Sequence, residues 1–353
     1  MRSSVEALGS ARVACDAGVD GEAQRRHAAH LRVLRAACAP DVATCAHPDA
    51  QLYALVDVGL QPAALPWAKR LRGEAAALFE GTPEAALGDL SPRLVHIGPV
   101  GELADEASAT FFRAAPLLAW HDALPCVSWL ASTATLSELA GHLRGRLTGQ
   151  LCGEDGQPMG EVMLRYYDAR VLSGYLQTLT ETQYALALQP LAWWGLWNRH
   201  AQWQQWGPPD DVPSHLDLKV KAAQRFSLAQ HAAIAAHTAT DRIDARLREL
   251  YGTRPESSSV AAAVHEQLLS LPARPRFVAL DRLVGQARQA GLQADPDLLL
   301  YATFHHSLGP RFTEHPQMQA CLAAVRTQGG TFIDATMNLP DEAWDAIAQT
   351  ARS

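Results

Sequence analysis

The feature that most constrains the fold is the stretch Glu161–Pro190, which reads EVMLRYYDARVLSGYLQTLTETQYALALQP. Side chains alternate with a period of two from residue 162 to residue 167, a pattern that predicts a β-strand with two distinct faces. An apolar run typical of a helix follows Asp168. Thr180 and Gln183 then have the spacing of a capping box, which predicts a second helix from Thr180 to Pro190. The stretch therefore predicts a strand, a charged corner and two short helices.

Three charged residues, Arg165, Asp168 and Arg170, stand at the junction of the predicted strand and helix. A carboxylate between two guanidiniums should stay ionised, which makes it a weak general base near neutral pH and a good ion-pair partner. We consider three roles for this corner: a structural brace, a contact for a partner or an anion, and catalysis. The ionisation argument favours the brace. His142 and Arg144 are considered as further members of the same group.

Composition indicates a globular chain that is not organised around nucleic acid. Of 353 residues, 48% are hydrophobic and 19% charged, which is enough to bury a large core. The formal charge of -7 and the pI of about 6.0 argue against a protein whose main task is to neutralise phosphates. A local basic run between Arg25 and Arg35 is interpreted as the solvated face of a helix.

Cysteine usage and hydropathy indicate a compartment. The six cysteines have no zinc-ligand spacing. The N-terminal residues lack the pattern of a secretory signal, and no apolar run is long enough for a membrane span. We therefore expect a cytoplasmic protein with reduced cysteines, no cofactor, no bound metal and no membrane insertion.

The succession of elements predicts an α/β (α+β) N-terminal lobe with a mixed sheet, followed by a mainly α-helical C-terminal lobe. We expect a helical N-terminal extension at residues 1–48, a core domain at 49–210 and a helical lobe at 211–353. Strands are predicted at residues 52–56, 75–79, 93–97 and 126–131, and N-terminal helices at 62–72, 103–113 and 135–147. Helices of the second lobe are predicted at residues 232–250, 260–269, 277–290, 296–308 and 317–326.

A cluster of five tryptophans follows Pro190 in the segment LAWWGLWNRHAQWQQW. It predicts a hairpin that turns near Asn198, with an amphipathic helix as the alternative. The first three tryptophans should be buried, whereas Trp203 and Trp206 stand among glutamines and should be partly exposed. The exposed pair is a candidate docking surface, because tryptophan is enriched in binding hot spots.

Standard catalytic and nucleotide-binding motifs are missing from the sequence, including the Walker A, Rossmann, G-x-S-x-G and H-E-x-x-H patterns. Two weaker groups remain. His121, Asp122 and Cys126 could supply a thiol nucleophile, but proximity in sequence is a poor guide, and a buried cysteine at a strand is the preferred interpretation. His305, His306 and His315 are interpreted as surface or core-edge histidines, since adjacent helix positions rarely bind one ion together.

Five segments resemble the effector chaperone, or adaptor, family of type VI secretion systems (Tap/Tec proteins). They are LYALVDVGL at 52–60, ALFEGTPEAAL at 77–87, SPRLVHIG at 91–98, LSELAGHLRGRL at 136–147 and MLRYYDARVLSGYLQTLTETQ at 163–183. The matching positions are Asp57, Gly81-Thr82-Pro83, Pro92, His142-Leu143-Arg144, Arg165, Asp168 and Arg170-Val171-Leu172. Ala169 replaces the proline usual in the family, which leaves the corner less rigid, and Tyr166 replaces a phenylalanine.

The resemblance implies an adaptor and not an enzyme. Such a protein would bind a cargo effector, a toxin, in the cytoplasm and help to load it onto the tip of a VgrG-type spike protein. Its partners would be that effector and that spike, with no nucleic acid. The alternatives are a hydrolase with an unrecognised site, at the charged corner or near Cys126, and an interaction module with some other partner.

Overall fold

The structure is a computed structural model that describes residues 21–38, 49–71, 73–121, 125–209, 224–252 and 259–352. The chain divides into two compact units, Met1–Ile234 and Ala235–Ser353. The predicted domain boundary at residue 210 coincides with the start of residues 210–223, which lie outside the described residues. As predicted, the first unit combines helices with sheets and the second is mostly helical.

A six-stranded sheet in the order β2-β3-β1-β4-β7-β8 forms the centre of the first unit. Its strands are β1 (Gln51–Val56), β2 (Ala75–Ala77), β3 (Arg93–Pro99), β4 (Val127–Ser132), β7 (Trp193–Trp197) and β8 (Trp203–Trp206). All neighbouring pairs in it are antiparallel. Each of the four strands predicted before residue 132 is present within a few residues of its predicted bounds.

Both faces of this sheet are covered, so successive residues of β1 alternate between two hydrophobic cores. Leu52 and Ala54 face one core together with residues of α1 (Gly21–Ala37), α2 (Ala64–Arg70) and α3 (Ala109–His121). Tyr53 and Leu55 face the other core, with residues of α4 (Leu136–Arg144), α5 (Ala169–Thr178) and α6 (Glu181–Leu188). α1 is the helix of the predicted N-terminal extension, and its Leu31 and Leu34 pack into the first core.

A smaller three-stranded sheet in the order β6-β5-β9 lies in the same unit. Its strands are β5 (Thr148–Cys152), β6 (Pro158–Met163) and β9 (Gln224–Ser227). β5 pairs antiparallel with β6 and parallel with β9, so the mixed sheet expected for this lobe is the small one. Phe226 of β9 inserts its ring into the second core, where it contacts Tyr175 at a centroid distance of 6.2 Å.

Two predicted helices of the chain have different bounds because side chains interrupt them. The helix predicted at residues 103–113 is instead a 3-10 turn, Val100–Ala104, followed by α3. Between them, Asp105 Oδ1 accepts a hydrogen bond from the Ala107 amide, a local turn that competes with the helix. The helix predicted at residues 232–250 is divided at Thr238, whose hydroxyl donates to the Ala235 carbonyl.

The second unit contains most of the remaining helices. They are α7 (Leu228–His237), which crosses the boundary, α8 (Ala239–Tyr251), α9 (Ser259–Val264), α10 (Ala273–Gln289), α11 (Asp295–Ser307), α12 (Pro316–Gln328), α13 (Phe332–Met337) and α14 (Asp341–Arg352). A π-helical turn, His265–Leu269, continues α9. The Ser227 and Gln230 side chains form a capping box at the start of α7. No helix among the described residues has both the length and the apolar character that crossing a bilayer requires.

Candidate functional site

The charged corner begins earlier in the chain than the sequence pattern predicts. β6 ends at Met163, and residues 164–168 form a turn rather than the second half of a strand. Leu164, Tyr166 and Tyr167 are all buried in the same core, so the period of two in this segment does not correspond to two sheet faces. The Tyr166 hydroxyl donates to the Leu143 carbonyl of α4 at 2.6 Å, which fixes the turn against that helix.

Asp168 occupies the centre of the corner and is only 1% exposed. It is the N-cap of α5, where Oδ1 accepts from the Arg170 amide at 3.0 Å. The same oxygen accepts from Arg170 Nε at 2.9 Å, and Oδ2 accepts from an Arg170 terminal nitrogen at 2.7 Å. Arg165 donates the fourth hydrogen bond of the carboxylate, which Oδ2 accepts at 3.2 Å. Both carboxylate oxygens are thus saturated by donors of this chain, an arrangement suited to holding the start of a helix.

Arg165 is the member of the corner that reaches solvent. Its side chain is 50% exposed, compared with 20% for Arg170. The guanidinium carbon lies 6.0 Å from the ring centroid of Tyr167, so the cation also interacts with an aromatic face. Arg165 therefore has capacity for an external anion or a partner group while it remains paired with Asp168.

Asp57 is a second buried carboxylate of the same corner, contributed by the residue after β1. Its Oδ1 accepts from the Gly59 and Leu60 amides at 3.0 and 3.3 Å, while Oδ2 is buried and has no hydrogen-bond partner among the described residues. Burial raises the pKa of Asp57 to about 6, and the charge of Asp168 adds to this rise. Arg165 and the two amides oppose the rise. Asp57 is thus a carboxyl group that titrates close to neutral pH.

The thiol of Cys126 borders this corner and is not an activated nucleophile. Burial raises its pKa to about 12, with the charges of Asp57 and then Asp168 contributing to the rise. A thiolate is the reactive form of cysteine, so Cys126 is inert near neutral pH. Asp122 and the side chain of His121 lie outside the described residues. Of the three residues considered for thiol chemistry, only Cys126 is therefore placed, and it behaves as a small buried hydrophobe.

His142 and Arg144 interact with other parts of the first unit than the corner. His142 Nε2 lies 3.1 Å from the Ala187 carbonyl at the end of α6 and 3.0 Å from Nε of Arg146. Burial, together with the charge of Arg146, lowers the pKa of His142 to about 4, so the imidazole is neutral at pH 7. Arg146 also donates to the Leu186 carbonyl, so the two side chains together cover the C-terminus of α6.

Arg144 stabilises the outer edge of the large sheet. It donates two hydrogen bonds to the Ala77 carbonyl of β2, at 3.3 Å from Nε and 2.8 Å from a terminal nitrogen. A third contact, at 3.3 Å, reaches the carboxylate of Glu80. Arg146 was not among the predicted site residues. It follows His142 by four positions, the spacing at which helix side chains are neighbours, and this spacing could have indicated that the two side chains interact.

The tryptophan segment forms the predicted hairpin of β7 and β8. Asn198 closes the turn, because its Oδ1 accepts from the amides of His200 and Gln202 at 2.9 and 3.0 Å. The three tryptophans of β7 are buried, as predicted. Trp203 and Trp206 are half-buried. Trp203 packs against Trp197 with the rings tilted and their centroids 4.5 Å apart, so much of its surface belongs to the core and only a part is available to a partner.

His305, His306 and His315, which the sequence suggested as a weak candidate metal site, have separate surroundings in the second unit. His305 and His306 are ring neighbours at 5.1 Å, and His315 caps α12 by accepting from the Gln317 amide. Within the described ranges, no group of three or more His, Cys, Asp or Glu side chains is arranged to hold an ion. Burial lowers the pKa of His306 to about 4, and the neighbouring His305 adds to this effect.

Residues 52–186 match the family DUF4123, described as a domain of unknown function. The matched region extends from β1 to α6 and includes Asp57, His142, Arg144 and the whole charged corner. A DUF4123 domain is therefore present in the first unit. No curated protein and no solved structure matches the chain.

Proposed function

We propose that this chain is a type VI secretion adaptor that binds a cargo effector in the cytoplasm and helps to load it onto the tip of a VgrG-type spike. The observation that carries the proposal is the DUF4123 match over residues 52–186, which coincides with the five segments that resemble the adaptor family. The adaptor interpretation includes the expectation that the protein is not an enzyme.

The hydrogen bonds of the polar motif residues are consistent with this proposal. Asp168 hydrogen-bonds the start of a helix, His142 contacts the end of another helix, and Arg144 hydrogen-bonds a sheet edge. A catalytic group has to present its reactive atom to a substrate. These residues instead stabilise the interior of the lobe, whose surface presents the half-exposed Arg165 and the partly exposed Trp203–Trp206 strand.

We further propose a division of labour in which the first unit contacts the spike and the helical second unit holds the cargo. The test is a cross-linked pull-down of the full chain from its native host, with mass spectrometry of the cross-linked peptides. Recovery of a spike protein on residues of the first unit and of a toxin on residues of the second is the expected result. Recovery of neither protein would overturn the adaptor function, whereas recovery of both with the lobes exchanged would overturn only the division of labour.

A hydrolase is the second candidate, and the pKa of Asp57 is the observation that favours it. A carboxyl group with a pKa of about 6 is suited to general acid–base work. Against this, Asp57 is 3% exposed, so a substrate would reach it only after the corner opens. The hydrolase would be established if the chain hydrolyses ester, amide or phosphoester test substrates and Asp57→Asn abolishes that activity.

A third possibility is an interaction module with another partner. The identity of the proteins captured in the pull-down would reveal it.

A further inference from the structure

Two sheet edges of the first unit are covered by side chains of this chain. At the β2 edge, the Ala77 carbonyl accepts from Arg144 at 2.8 Å. At the β9 edge, the Arg225 carbonyl accepts from Gln183 Nε2 at 2.7 Å. Uncovered backbone groups at a sheet edge are a template for pairing with another chain, and proteins commonly block them in this way. The remaining edge of the small sheet is β6, and it lacks such a cover within the described residues.

The register of β6 identifies the backbone groups that point away from the sheet. The Leu164 amide donates to the Leu147 carbonyl at 2.7 Å, so the N–H group of Leu164 points to the β5 side of the hairpin. Backbone groups that point the same way recur every second residue in an antiparallel ladder. The N–H and C=O groups of Val162 and Gly160 therefore also point toward β5. The N–H and C=O groups of Glu161 and Met163 therefore point outward. None of the described residues hydrogen-bonds to these four groups.

β6 is also exposed on its side chains and has few protective features. Met159 is 62% and Met163 38% exposed, and Glu161 between them is exposed as well. Pro158 and the bulge between Leu151 and Cys152 disturb only the first end of the strand. The strand has no lysine, the residue that most often protects an edge. Flexible methionine side chains are suited to packing on a partner of variable sequence.

The charge of the β5–β6 hairpin indicates the chemistry of the partner. Between Thr148 and Met163 the chain has three acidic residues, Glu154, Asp155 and Glu161, and neither lysine nor arginine. Three arginines close to this hairpin have partners within the chain: Arg165 is paired with Asp168, Arg225 donates to the Gly156 carbonyl and Arg146 donates to the Leu186 carbonyl. An acidic strand edge is complementary to a basic strand.

We propose that β6 is a docking edge for an extended, basic segment of a partner protein, which adds to the small sheet as a fourth strand next to Glu161 and Met163. Main-chain hydrogen bonds to these two residues supply the pairing, the exposed methionines contact apolar side chains, and the acidic residues select lysine or arginine. The inference rests on the proposed partner-binding function, since it assigns the surface at which one partner of the adaptor is held.

The test uses the full chain and a synthetic eight-residue peptide of alternating valine and lysine, blocked at both ends. Hydrogen–deuterium exchange read by mass spectrometry should slow at least tenfold in peptides that span residues 158–164 when the basic peptide is added. The valine–glutamate peptide of the same length should leave exchange there unchanged. Binding should also weaken as salt is raised from 50 to 500 mM, because the selecting charges lie at the surface.

Two variants at one position separate the backbone from the charge. Glu161→Gln keeps the N–H and removes the charge, whereas Glu161→Pro removes both, so the difference between them measures the outward N–H. We expect Glu161→Pro to bind the basic peptide at least tenfold more weakly than Glu161→Gln, with both variants folded by circular dichroism. If Glu161→Pro does not fold, the comparison of basic and acidic peptides on the native chain decides.

Unchanged exchange at residues 158–164 in the presence of the basic peptide would overturn the inference, as would equal protection by the acidic peptide. Neither result bears on the adaptor function, which depends on capture of a spike and an effector from the host. Conversely, a chain that binds the basic peptide at β6 but captures neither protein would retain the docking edge and lose the adaptor assignment.

Discussion

Arg170 donates three hydrogen bonds to the carboxylate of Asp168, one from its backbone amide and two from its guanidinium. The two residues are separated by one position in the sequence, so the same pair caps the helix and neutralises the buried charge. Asp168 is the buried partner that Arg165 and Arg170 share, so its loss would remove the helix N-cap and both ion pairs at once.

Asp168→Ala should therefore lower the free energy of unfolding by about 3–5 kcal/mol, since it removes the helix cap and takes the shared carboxylate away from Arg165 and Arg170. Urea unfolding followed by circular dichroism is the measurement. Asp89→Ala is the matched control, because it breaks the exposed Lys69–Asp89 pair and should change stability little. An Asp168→Ala variant as stable as the native chain that loses its partners would identify the corner as a contact surface instead of a brace.

Asp57→Asn should change how stability depends on pH. Between the ordinary pKa of 3.8 and the folded value of about 6, the folded state binds more protons than the unfolded state, so the free energy of unfolding falls as pH rises. At about 1.4 kcal/mol per pKa unit, the ionised carboxylate costs the fold about 3 kcal/mol above pH 6. Asparagine removes this loss. The measurement is urea unfolding at pH 4 and at pH 7, and an equal pH dependence in variant and native chain would contradict the raised pKa.

His142→Gln should alter the pH dependence in the opposite direction. The pKa of His142 falls from 6.5 to about 4 in the folded state, so the unfolded state binds more protons in this window and stability rises with pH. The free energy of unfolding should therefore fall by about 3 kcal/mol as pH falls from 6.5 to 4. Because Asp57 and His142 act oppositely over nearly the same range, the native chain should show a smaller dependence than either variant. If His142→Gln shows the same slope as the native chain, the imidazole is not buried as described.

Gly195→Ala should loosen the tryptophan hairpin. A methyl carbon at Gly195 would lie 2.4 Å from Cζ2 of Trp203, so the indole ring has to move off β7. We expect a loss of about 1–3 kcal/mol and a red shift of tryptophan fluorescence. Gly141→Ala is the control in the same unit, because nothing lies within 4 Å of the added carbon in α4. That substitution should instead stabilise by about 0.5–1 kcal/mol, and a similar loss in both variants would refute the specific contact.

Local interactions explain the features that the sequence predicts well. The capping box of Thr180 and Gln183 depends on residues three positions apart, and it forms as predicted with bonds of 2.8 and 3.3 Å. The tryptophan hairpin likewise depends on Asn198, whose side chain closes the turn within four residues. The Leu52–Val56 run predicted β1 because a strand covered on both faces is apolar throughout.

Local sequence patterns did not predict the features that depend on residues distant in the chain. The period of two after residue 161 predicted a strand to Tyr167, but the large second core draws Leu164, Tyr166 and Tyr167 to one side and the strand stops at Met163. The charge of Asp168 acts on Asp57, 111 residues earlier in the chain, and no pattern within either segment reveals this. Arg144 likewise finds its carbonyl 67 residues away.

Spacing within a few residues, or overall composition, was enough to predict the class of the fold, the capped helices, the hairpin and the charged corner. The roles of those charges and the accessibility of each surface depend instead on how distant parts of the chain pack together. Packing brings two carboxylates into one buried corner and leaves Asp57 with an oxygen that no described residue hydrogen-bonds, since burial and long-range charge are properties of the assembled core. Packing likewise covers the β2 and β9 edges, whereas the outward backbone groups of β6 have no such cover from the part of the chain that the structure describes. The side chains that reach an edge come from elements distant in the chain.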